Sequence, residues 1–378
     1  MKLGFFIKEG LRLAYILPPV TLAKYNNNLF RFIPYHPTAA NILVTHNCNS
    51  RCQTCAMWRS KSSGELTTEE IVNIMAQLKL AGTRRISFSG GESTLRSDLP
   101  DLIKEAKRLD FKHILVASNG LSWNINKAQE YLKNGCNRVT ISIDGIGEVH
   151  DKQRGIKGAY DKSMQTVMML LNLRKNEYPD LDIELETTIT RNNLSSFADV
   201  IKLCKELNVG WMLSVFENDS FQFKGVDSSN LKMDQNEEIV KGINQLHHSF
   251  RHYPLSPIIS HVALERVKRY LIRENSYDLR SNIPCTAGFT AIYVDAVGNV
   301  FPGCWAMPSI GNIKEKTLRE IISAHEFKER RKMMFIKKCP TCPNSILWGA
   351  WYYIPAILEE SIWRLRFLTQ DSQKRDVG

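Results

Sequence analysis

Three cysteines lie within one short stretch of the chain and could supply thiolate ligands to a metal. They are Cys48, Cys52 and Cys55, in NCNSRCQTCAMW (residues 47–58), and no fourth cysteine is nearby. A structural zinc site is closed by four protein ligands. An iron–sulfur cube held by only three cysteines leaves one iron open to another ligand. The spacing therefore indicates a metal centre with a vacant position, and zinc remains the alternative.

A second group of cysteines lies in the C-terminal part of the chain. Its members are Cys285, Cys304, Cys339 and Cys342. The first two flank VDAVGNVFP (294–302), a pattern that predicts a β-hairpin turning near Gly298. Four thiolates can close a tetrahedral site, so this group is expected to bind either one fully ligated iron–sulfur cluster or a structural zinc ion.

Strands and helices alternate over residues 41–216 and must position the first cysteine group. The pattern predicts strands at 41–45, 85–90, 113–120, 138–145, 182–190 and 211–216, and helices at 66–80, 98–109, 125–135, 159–175 and 197–207. Short connections between such units predict a parallel sheet with right-handed crossovers. The periodicity fits a partial (β/α) barrel and an open doubly wound sheet equally well.

Polar and glycine residues follow the predicted strands at the point where each strand ends. The cysteines follow the first strand, SGGE (89–92) the second and SNG (118–120) the third, while Ser142 and Asp144 end the fourth. Ligands bind at the carboxyl ends of the strands in both candidate folds. These residues are therefore expected to converge on one site.

These motifs together resemble the radical S-adenosylmethionine (radical SAM) superfamily. The resemblance covers residues 40–216 and rests on C-x3-C-x2-C, on SFSGGESTLRSDL (87–99), on SNG and on ISIDG followed by VHDKQRG (141–155). It implies an α/β fold, a partial (β/α)6 TIM-like barrel. It also implies that Cys48, Cys52 and Cys55 hold a [4Fe–4S] cluster whose open iron binds S-adenosylmethionine (SAM).

The resemblance also implies the chemistry and the cofactor contacts. One electron would cleave the sulfonium bond of SAM, and the resulting 5′-deoxyadenosyl radical would abstract a hydrogen atom from an unreactive C–H bond. The implied SAM contacts are Gly90, Gly91, Glu92, Ser118, Asn119, Ser142, Asp144 and Arg154. Glu92 would accept from the SAM ammonium, and its alternative role is that of a carboxylate at a helix N-terminus. No catalytic residue is identified.

The C-terminal group resembles the SPASM and twitch auxiliary-cluster domains of this superfamily. The match covers residues 283–345, with SIGNIKEKTLREI (309–321) following the hairpin. The chain has fewer cysteines than a full SPASM domain, which holds two clusters. We therefore expect one auxiliary [4Fe–4S] cluster bound by Cys285, Cys304, Cys339 and Cys342, with structural zinc as the alternative. The remaining thiols, Cys136 and Cys204, are expected in the core.

Composition and charge limit the class of protein. The 378 residues carry a net charge of +11, with 43% hydrophobic and 24% charged residues, which is typical of a folded globular chain. We expect five regions: an apolar or amphipathic segment (1–38), the barrel (39–220), a connecting region (221–282), the cluster domain (283–345) and an aromatic helix and tail (346–378). Clustered cysteines without a convincing signal peptide predict reduced thiols in the cytoplasm.

The sequence also suggests partners. No basic tract with interleaved aromatic residues occurs, so nucleic acid is not expected. The aromatic, apolar ends (3–38 and 346–368) could touch a membrane surface or cap the barrel, and with the net charge they suit a lipid-linked substrate.

The function expected is hydrogen abstraction from a small-molecule, sugar or lipid-type substrate, with flavodoxin or ferredoxin as the reducing protein. The alternatives are a peptide-modifying maturase and a non-catalytic zinc-binding module. Glu184, Glu186 and Glu217 could face a substrate or be ordinary barrel residues.

Overall fold

The computed structural model describes residues 37–60, 63–215 and 287–336, together with Tyr35, Val226 and Cys285. Several expectations therefore fall outside the described residues. They are the ligand roles of Cys339 and Cys342, the position of Glu217, the connecting region, the aromatic tail and nearly all of the N-terminal segment.

Eight strands form one sheet, ordered β6-β5-β4-β3-β2-β1-β7-β8. The strands are β1 (Ala39–Thr45), β2 (Arg85–Gly90), β3 (His113–Ser118), β4 (Arg138–Ser142), β5 (Asp182–Ile189), β6 (Gly210–Val215), β7 (Ala291–Val294) and β8 (Val300–Phe301). All neighbouring pairs are parallel except β7 and β8. Among the described strands, β6 and β8 lie at the two ends of this order, so the six parallel strands of the expected partial barrel do not close on themselves.

Nine α-helices are present in the described part of the chain. They are α1 (Thr68–Leu80), α2 (Leu99–Arg108), α3 (Ile125–Asn134), α4 (Glu148–Arg154), α5 (Ala159–Asn176), α6 (Phe197–Leu207), α7 (Ala287–Thr290), α8 (Leu318–Ser323) and α9 (His325–Phe335). Sequence caps set several ends: Thr67 and Glu70 form a capping box at the start of α1, and Gly135 ends α3 at a φ of 120°. No described helix is long and apolar enough to cross a membrane.

The two faces of the sheet differ in polarity. Residues such as Ile42, Phe88 and Ile141 point to the helices and are fully buried in the main hydrophobic core. The alternate positions point away from the helices and carry polar side chains, including Ser87, Ser142, Glu186 and Ser214, all only half-buried. The core therefore fills the helix side, and the inner face of the sheet is left for ligands.

The C-terminal hairpin extends the barrel sheet. Strand β7 runs parallel to β1, with Ala39 opposite Ala291, and turns back into the antiparallel β8. Gly298 occupies the turn at a φ of +95°, and the Asp295 carboxylate accepts from the backbone N–H groups of Val297 and Asn299. The predicted hairpin is thus present, and it joins Cys285 and Cys304 to the same sheet that carries the first cysteine group.

Candidate functional site

The three-cysteine loop follows β1 and rests on the end of α4. The backbone N–H of Arg51 donates to the carbonyl of Arg154 at 3.0 Å, and that of Gln53 to the carbonyl of Gln153 at 2.9 Å. Within the loop, Cys48 Sγ accepts from the N–H of Ser50 and Cys55 Sγ from that of Met57, both at 3.4 Å. The loop conformation is therefore fixed by backbone contacts with the end of α4 and by N–H groups that donate to two of its sulfur atoms.

Burial makes the thiols of this loop weak acids. It raises the pKa of Cys48 to about 11 and that of Cys55 to about 12, and it raises the pKa of Cys52 as well. Metal ligation needs thiolates, so a bound metal must displace these protons. Among the described residues, no three His, Cys, Asp or Glu side chains converge on one ion. Three thiolates in one loop can hold a cube, in which each thiolate binds its own iron.

Apolar side chains surround part of the loop. Leu43, Met57 and Ala296 form a buried cluster against which Cys55 and Trp305 pack. Trp305 follows Cys304 in the sequence, so the two cysteine groups approach the same apolar cluster. A dry, sulfur-rich pocket of this kind fits an iron–sulfur cluster.

Gly90 and Gly91 press the end of β2 against the cysteine loop. A Cβ on Gly90, whose φ is +148°, would lie 2.3 Å from the carbonyl oxygen of Thr45; one on Gly91 would lie 2.3 Å from that of Asn47. The N–H groups of Gly91 and Glu92 donate to these same two carbonyls. The backbone at Gly90 and Gly91 therefore lies so close to the cysteine loop that no Cβ fits between them.

Glu92 joins the ends of β2 and β3. Its Oε1 accepts from the N–H and hydroxyl of Thr94 and from Ser118 Oγ, and its Oε2 accepts from the N–H of Asn119 at 2.7 Å. The side chain is only 1% exposed and caps the short 3-10 helix Ser93–Leu95. Capping was the alternative role. One acceptor position is left on Oε2, through which a contact with an ammonium would have to be made.

Asn119, after the end of β3, holds the cysteine loop, and Ser118 binds the neighbouring Glu92. Asn119 Nδ2 donates to Asn49 Oδ1 at 2.7 Å and to Ser50 Oγ at 2.9 Å. Ser118 Oγ donates to Glu92 and accepts from the N–H of Gly120. These groups thus already have partners in the protein.

An ion pair between Asp144, which follows β4, and Arg154 lies next to the cysteine loop. Arg154 Nε lies 2.7 Å from Asp144 Oδ2, and Arg154 Nη1 donates to Cys52 Sγ at 3.8 Å. Burial alone would lower the pKa of Arg154, but the Asp144 carboxylate and the Cys52 sulfur raise it above its ordinary value. Arg154 is therefore a fixed cation beside Cys52, where it favours the thiolate. Its Nη2 has no acceptor among the described residues.

Ser142 and Glu186 lie side by side on the inner face of the sheet. They are opposite each other in the β4–β5 register, and Glu186 Oε1 accepts from Ser214 Oγ at 2.9 Å. Burial raises the pKa of Glu186, and the Asp144 and Glu184 carboxylates raise it further. Glu184 differs, because its carboxylate forms an ion pair with Arg138. Of Glu184 and Glu186, only Glu184 forms an ion pair among the described residues, and Glu186 Oε2 is left for a ligand.

The second cysteine group is described in part. Cys285 is buried and Cys304 half-buried, in a small cluster that contains Met307 and Met334. The structure brings these two cysteines together, and the two expected partners lie outside the described residues.

Sequence reasoning missed Asn193, Gln153 and the helix α4. Asn193 Nδ2 donates to the carbonyls of Asp144 and Thr188, both at 2.8 Å, and Gln153 Oε1 accepts from Thr190 Oγ1 at 2.9 Å. Thr190 and Asn193 form a capping box, whose spacing is readable in the sequence. The seven-residue α4 has no helical periodicity long enough to recognise.

Two family models match the chain. The radical SAM superfamily model matches residues 42–204, and a model described as an iron–sulfur cluster-binding domain (SPASM) matches residues 285–343. The first contains Cys48, Cys52 and Cys55, and the second contains the C-terminal group.

Several curated proteins are similar in sequence. An AdoMet-dependent heme synthase of Oleidesulfovibrio alaskensis is 34% identical over 43% of this chain and 41% of its own length. An AdoMet-dependent heme synthase of Methanosarcina barkeri is 27% identical over 79% of this chain and 86% of its own length. The sporulation killing factor maturation protein SkfB of Bacillus subtilis is 30% identical over 45% of this chain and 40% of its own length. The chain thus matches less than half the length of the first and third of these relatives.

Solved structures share the fold. Streptococcus suis SuiB bound to S-adenosylmethionine has a TM-score of 0.60 at 15% identity, covering 78% of this chain and 67% of that one. Native anSMEcpe with bound AdoMet has a TM-score of 0.58 at 18% identity, covering 89% and 100%. The predicted partial barrel with a C-terminal domain is confirmed by these likenesses.

Proposed function

Because the chain matches the radical SAM superfamily model over residues 42–204 and the SPASM model over residues 285–343, we propose that it is a radical SAM enzyme with an auxiliary iron–sulfur centre. In this proposal it reductively cleaves SAM and abstracts hydrogen from a small-molecule, sugar or lipid-type substrate. The observation that carries this proposal is the three-cysteine loop with Arg154 at its side, 3.8 Å from Cys52 Sγ. When bound, a [4Fe–4S] cluster with one open iron supplies the electron that splits SAM into methionine and a 5′-deoxyadenosyl radical.

The residues of the chain have distinct roles in this proposal. Cys48, Cys52 and Cys55 are the cluster ligands. Arg154 presents Nη2 to the carboxylate of SAM, since Asp144 holds the guanidinium through Nε. The remaining proposed SAM contacts are Gly90, Gly91, Glu92, Ser118, Asn119, Ser142 and Asp144. For Glu92, Ser118 and Asn119 the hydrogen bonds favour orienting the loop over touching the cofactor.

The auxiliary centre is the second part of the proposal. Cys285, Cys304, Cys339 and Cys342 would hold one [4Fe–4S] cluster with no open iron. Such a cluster cannot bind substrate directly, so its role is electron relay or support of the domain. The apolar, sulfur-rich surroundings of Cys285 and Cys304 suit such a cluster, and structural zinc is the alternative.

A peptide substrate is the second candidate. Of the three relatives named above, two are heme synthases and one is the maturation protein SkfB. SuiB has also been solved bound to precursor peptide SuiA. We keep the small-molecule substrate as the first candidate because the M. barkeri heme synthase aligns over most of both chains.

The experiment is an anaerobic preparation with metal analysis and product detection. We expect about eight iron atoms and about eight sulfides per chain if both clusters form. Dithionite and SAM should then give methionine and 5′-deoxyadenosine. Replacing Cys48, Cys52 and Cys55 by alanine should abolish that product and leave about four irons. Zinc without sulfide would support the binding-module alternative and exclude radical chemistry.

The substrate class needs its own experiment. Extracts of wild-type and deletion cells are compared for metabolites that differ by one or two hydrogens, and deuterium transfer into 5′-deoxyadenosine then identifies the site of abstraction. Transfer from a peptide fraction instead of the small-molecule fraction would favour the second candidate.

The compartment is proposed on cysteine chemistry. All seven described cysteines are free thiols, which agrees with a reducing cytoplasm. Contact with a membrane surface or a lipid-linked substrate would involve the aromatic ends of the chain, and fractionation of tagged protein tests it.

A further inference from the structure

A half-buried tryptophan at the end of the cysteine loop lies close to two arginines. The guanidinium carbons of Arg51 and Arg59 lie 5.2 Å and 4.8 Å from the centroid of the Trp58 ring. The Trp58 indole N–H donates to the carbonyl of Cys52 at 3.4 Å. The indole is half-buried, while both arginines are exposed. This group therefore connects solvent directly to the backbone of a proposed cluster ligand.

A third cation adjoins the same loop. Asn192 Nδ2 donates to Gln53 Oε1 at 3.5 Å, so the neighbouring Arg191 lies beside the loop, and both residues are exposed. Two nearby carboxylates face the protein: Glu65 accepts from Thr45 and His46, and Asp151 accepts from the N–H groups of Gly158 and Tyr160. We name Arg51, Trp58, Arg59 and Arg191 the arginine–tryptophan surface.

The composition of this surface fits a protein interface. Arginine and tryptophan are enriched at interface centres, because they bury a large area and still offer hydrogen-bond donors. A positive patch raises the association rate of an acidic partner and selects its orientation. The chain as a whole carries a net charge of +11, so the long-range field acts in the same direction.

We propose that the arginine–tryptophan surface is the docking site of an acidic one-electron carrier protein that reduces the cluster. The inference rests on the proposed function, because reductive cleavage of SAM consumes one electron that must come from outside the chain. That electron must reach the cysteine loop, and Arg51 and Trp58 of this surface belong to the loop and contact the carbonyls of Cys48 and Cys52. A carrier docked here transfers one electron and leaves oxidised by one electron, with no atom exchanged.

The test compares a protein reductant with a small one. The variant is Arg59→Glu/Arg191→Glu, which leaves Arg51 in place because Arg51 Nη1 donates to the carbonyls of Cys48 and Ser50. The matched control is Lys104→Glu/Lys133→Glu, which reverses two exposed cations on α2 and α3 and changes the net charge equally. Each reconstituted enzyme is driven by a purified acidic flavodoxin with its reductase, or by dithionite.

With flavodoxin, we expect 5′-deoxyadenosine formation by the double arginine variant to fall about tenfold below that of the control. With dithionite, the two should agree within about twofold. The wild-type flavodoxin rate should also fall as salt rises from about 50 to about 300 mM, because screening weakens surface attraction. Equal flavodoxin rates for variant and control would overturn the proposal.

A binding measurement separates this proposal from the proposed function. We expect the dissociation constant for flavodoxin to rise about tenfold in the arginine variant and not in the control, whether or not SAM is cleaved. Absence of 5′-deoxyadenosine from wild type with dithionite would contradict the proposed function, and the binding result would still decide the docking site. A dithionite rate that falls in the arginine variant alone would assign the surface to SAM or to an anionic substrate and overturn docking.

Discussion

Glu184 and Glu186 lie two residues apart on β5 and differ in what surrounds each carboxylate. Glu184 is 3% exposed and paired with Arg138, while Glu186 is half-buried with one hydrogen bond from Ser214. Both point to the inner face of the sheet, since side chains two apart on a strand share a face. The sequence alone could not separate them, because the difference comes from Arg138 on β4, 46 residues away.

The first residue-scale prediction concerns Glu186. Glu186→Gln keeps an acceptor for Ser214 and removes the charge next to Ser142. We expect SAM binding and substrate-independent 5′-deoxyadenosine formation to stay within about twofold of wild type. Deuterium transfer from extract-derived substrate should fall at least about tenfold, since one good charged hydrogen bond is worth about 1.5–3 kcal/mol. Isotope transfer measured by mass spectrometry checks this.

The control for Glu186 is Glu184→Gln. Removing one partner of a buried ion pair costs about 3–5 kcal/mol, so this variant should lose stability in urea unfolding. If Glu186→Gln destabilises the protein as much as Glu184→Gln and transfers deuterium normally, then Glu186 is an ordinary barrel residue.

The second residue-scale prediction concerns His150. Its Nδ1 accepts from the N–H of Asp144, and burial, with Arg154 nearby, lowers its pKa from 6.5 to about 4. Between pH 6.5 and 4, His150 therefore binds a proton in the unfolded chain and stays neutral in the folded chain. Stability from His150 is present above pH 6.5 and is lost as pH falls through about 4.

The variant that tests this titration is His150→Asn, whose side-chain oxygen can still accept from Asp144. We expect the free energy of unfolding of wild type to drop between pH 6.5 and 4 by about 3 kcal/mol more than that of the variant. Urea titrations of the metal-free protein at several pH values provide the comparison. Parallel pH profiles would mean that His150 is protonated equally in both states.

At the scale of the elements, the end of β2 determines where the cysteine loop lies. Gly91→Ala places a Cβ at 2.3 Å and 2.4 Å from the carbonyl oxygens of Asn47 and His46. Because both contacts are backbone atoms, the loop must move. We expect iron content after reconstitution to fall by about half, with the auxiliary cluster retained and the SAM-cleaving cluster lost.

Gly147→Ala is the matched control for Gly91→Ala. Gly147 has a φ of +56° but nothing within 4 Å of an added Cβ, so this change tests backbone strain without a clash. It should cost about 1 kcal/mol and keep the full iron content. Equal iron loss in both alanine variants would refute the role of the close β2–loop approach.

Elements with a strong local signal were predictable, and those set by long-range contacts were not. Strand β2 and helix α6 begin and end at the predicted residues because alternating or amphipathic patterns are bounded by turn residues. The pairing of β7 with β1 has no local signal, since the partners are about 250 residues apart. Likewise, the sequence indicated Arg154 and Asp144 as site residues. Their ion pair and the contact of Arg154 with Cys52 could be seen only in the structure.

At the scale of the whole molecule, β1 is the strand on which both cysteine groups depend. It pairs with β2 on one side and with β7 on the other, and the loop that follows it carries Cys48, Cys52 and Cys55. Removing residues 285–378 would therefore take one neighbour from β1 as well as the second cysteine group. We expect the shortened chain to unfold at lower urea concentration than the full chain, as monitored by circular dichroism.

A cluster-free control distinguishes the loss of the strand from the loss of iron. The full chain carrying Cys285→Ser and Cys304→Ser keeps β7 in place, so its unfolding midpoint should stay closer to wild type than that of the shortened chain. If the double serine variant unfolds at a lower urea concentration than the shortened chain, the auxiliary metal, and not the strand pairing, stabilises the barrel.

The position of β7 also bears on solubility. With β7 and β8 gone, the backbone N–H and C=O groups of Ala39–Ile42 would lie at an open sheet margin next to the apolar side chains Ile42 and Leu43. Unprotected margins of this kind recruit strands from other molecules. The C-terminal hairpin thus covers this side of β1 in the folded chain, and its loss would leave the barrel open to self-association.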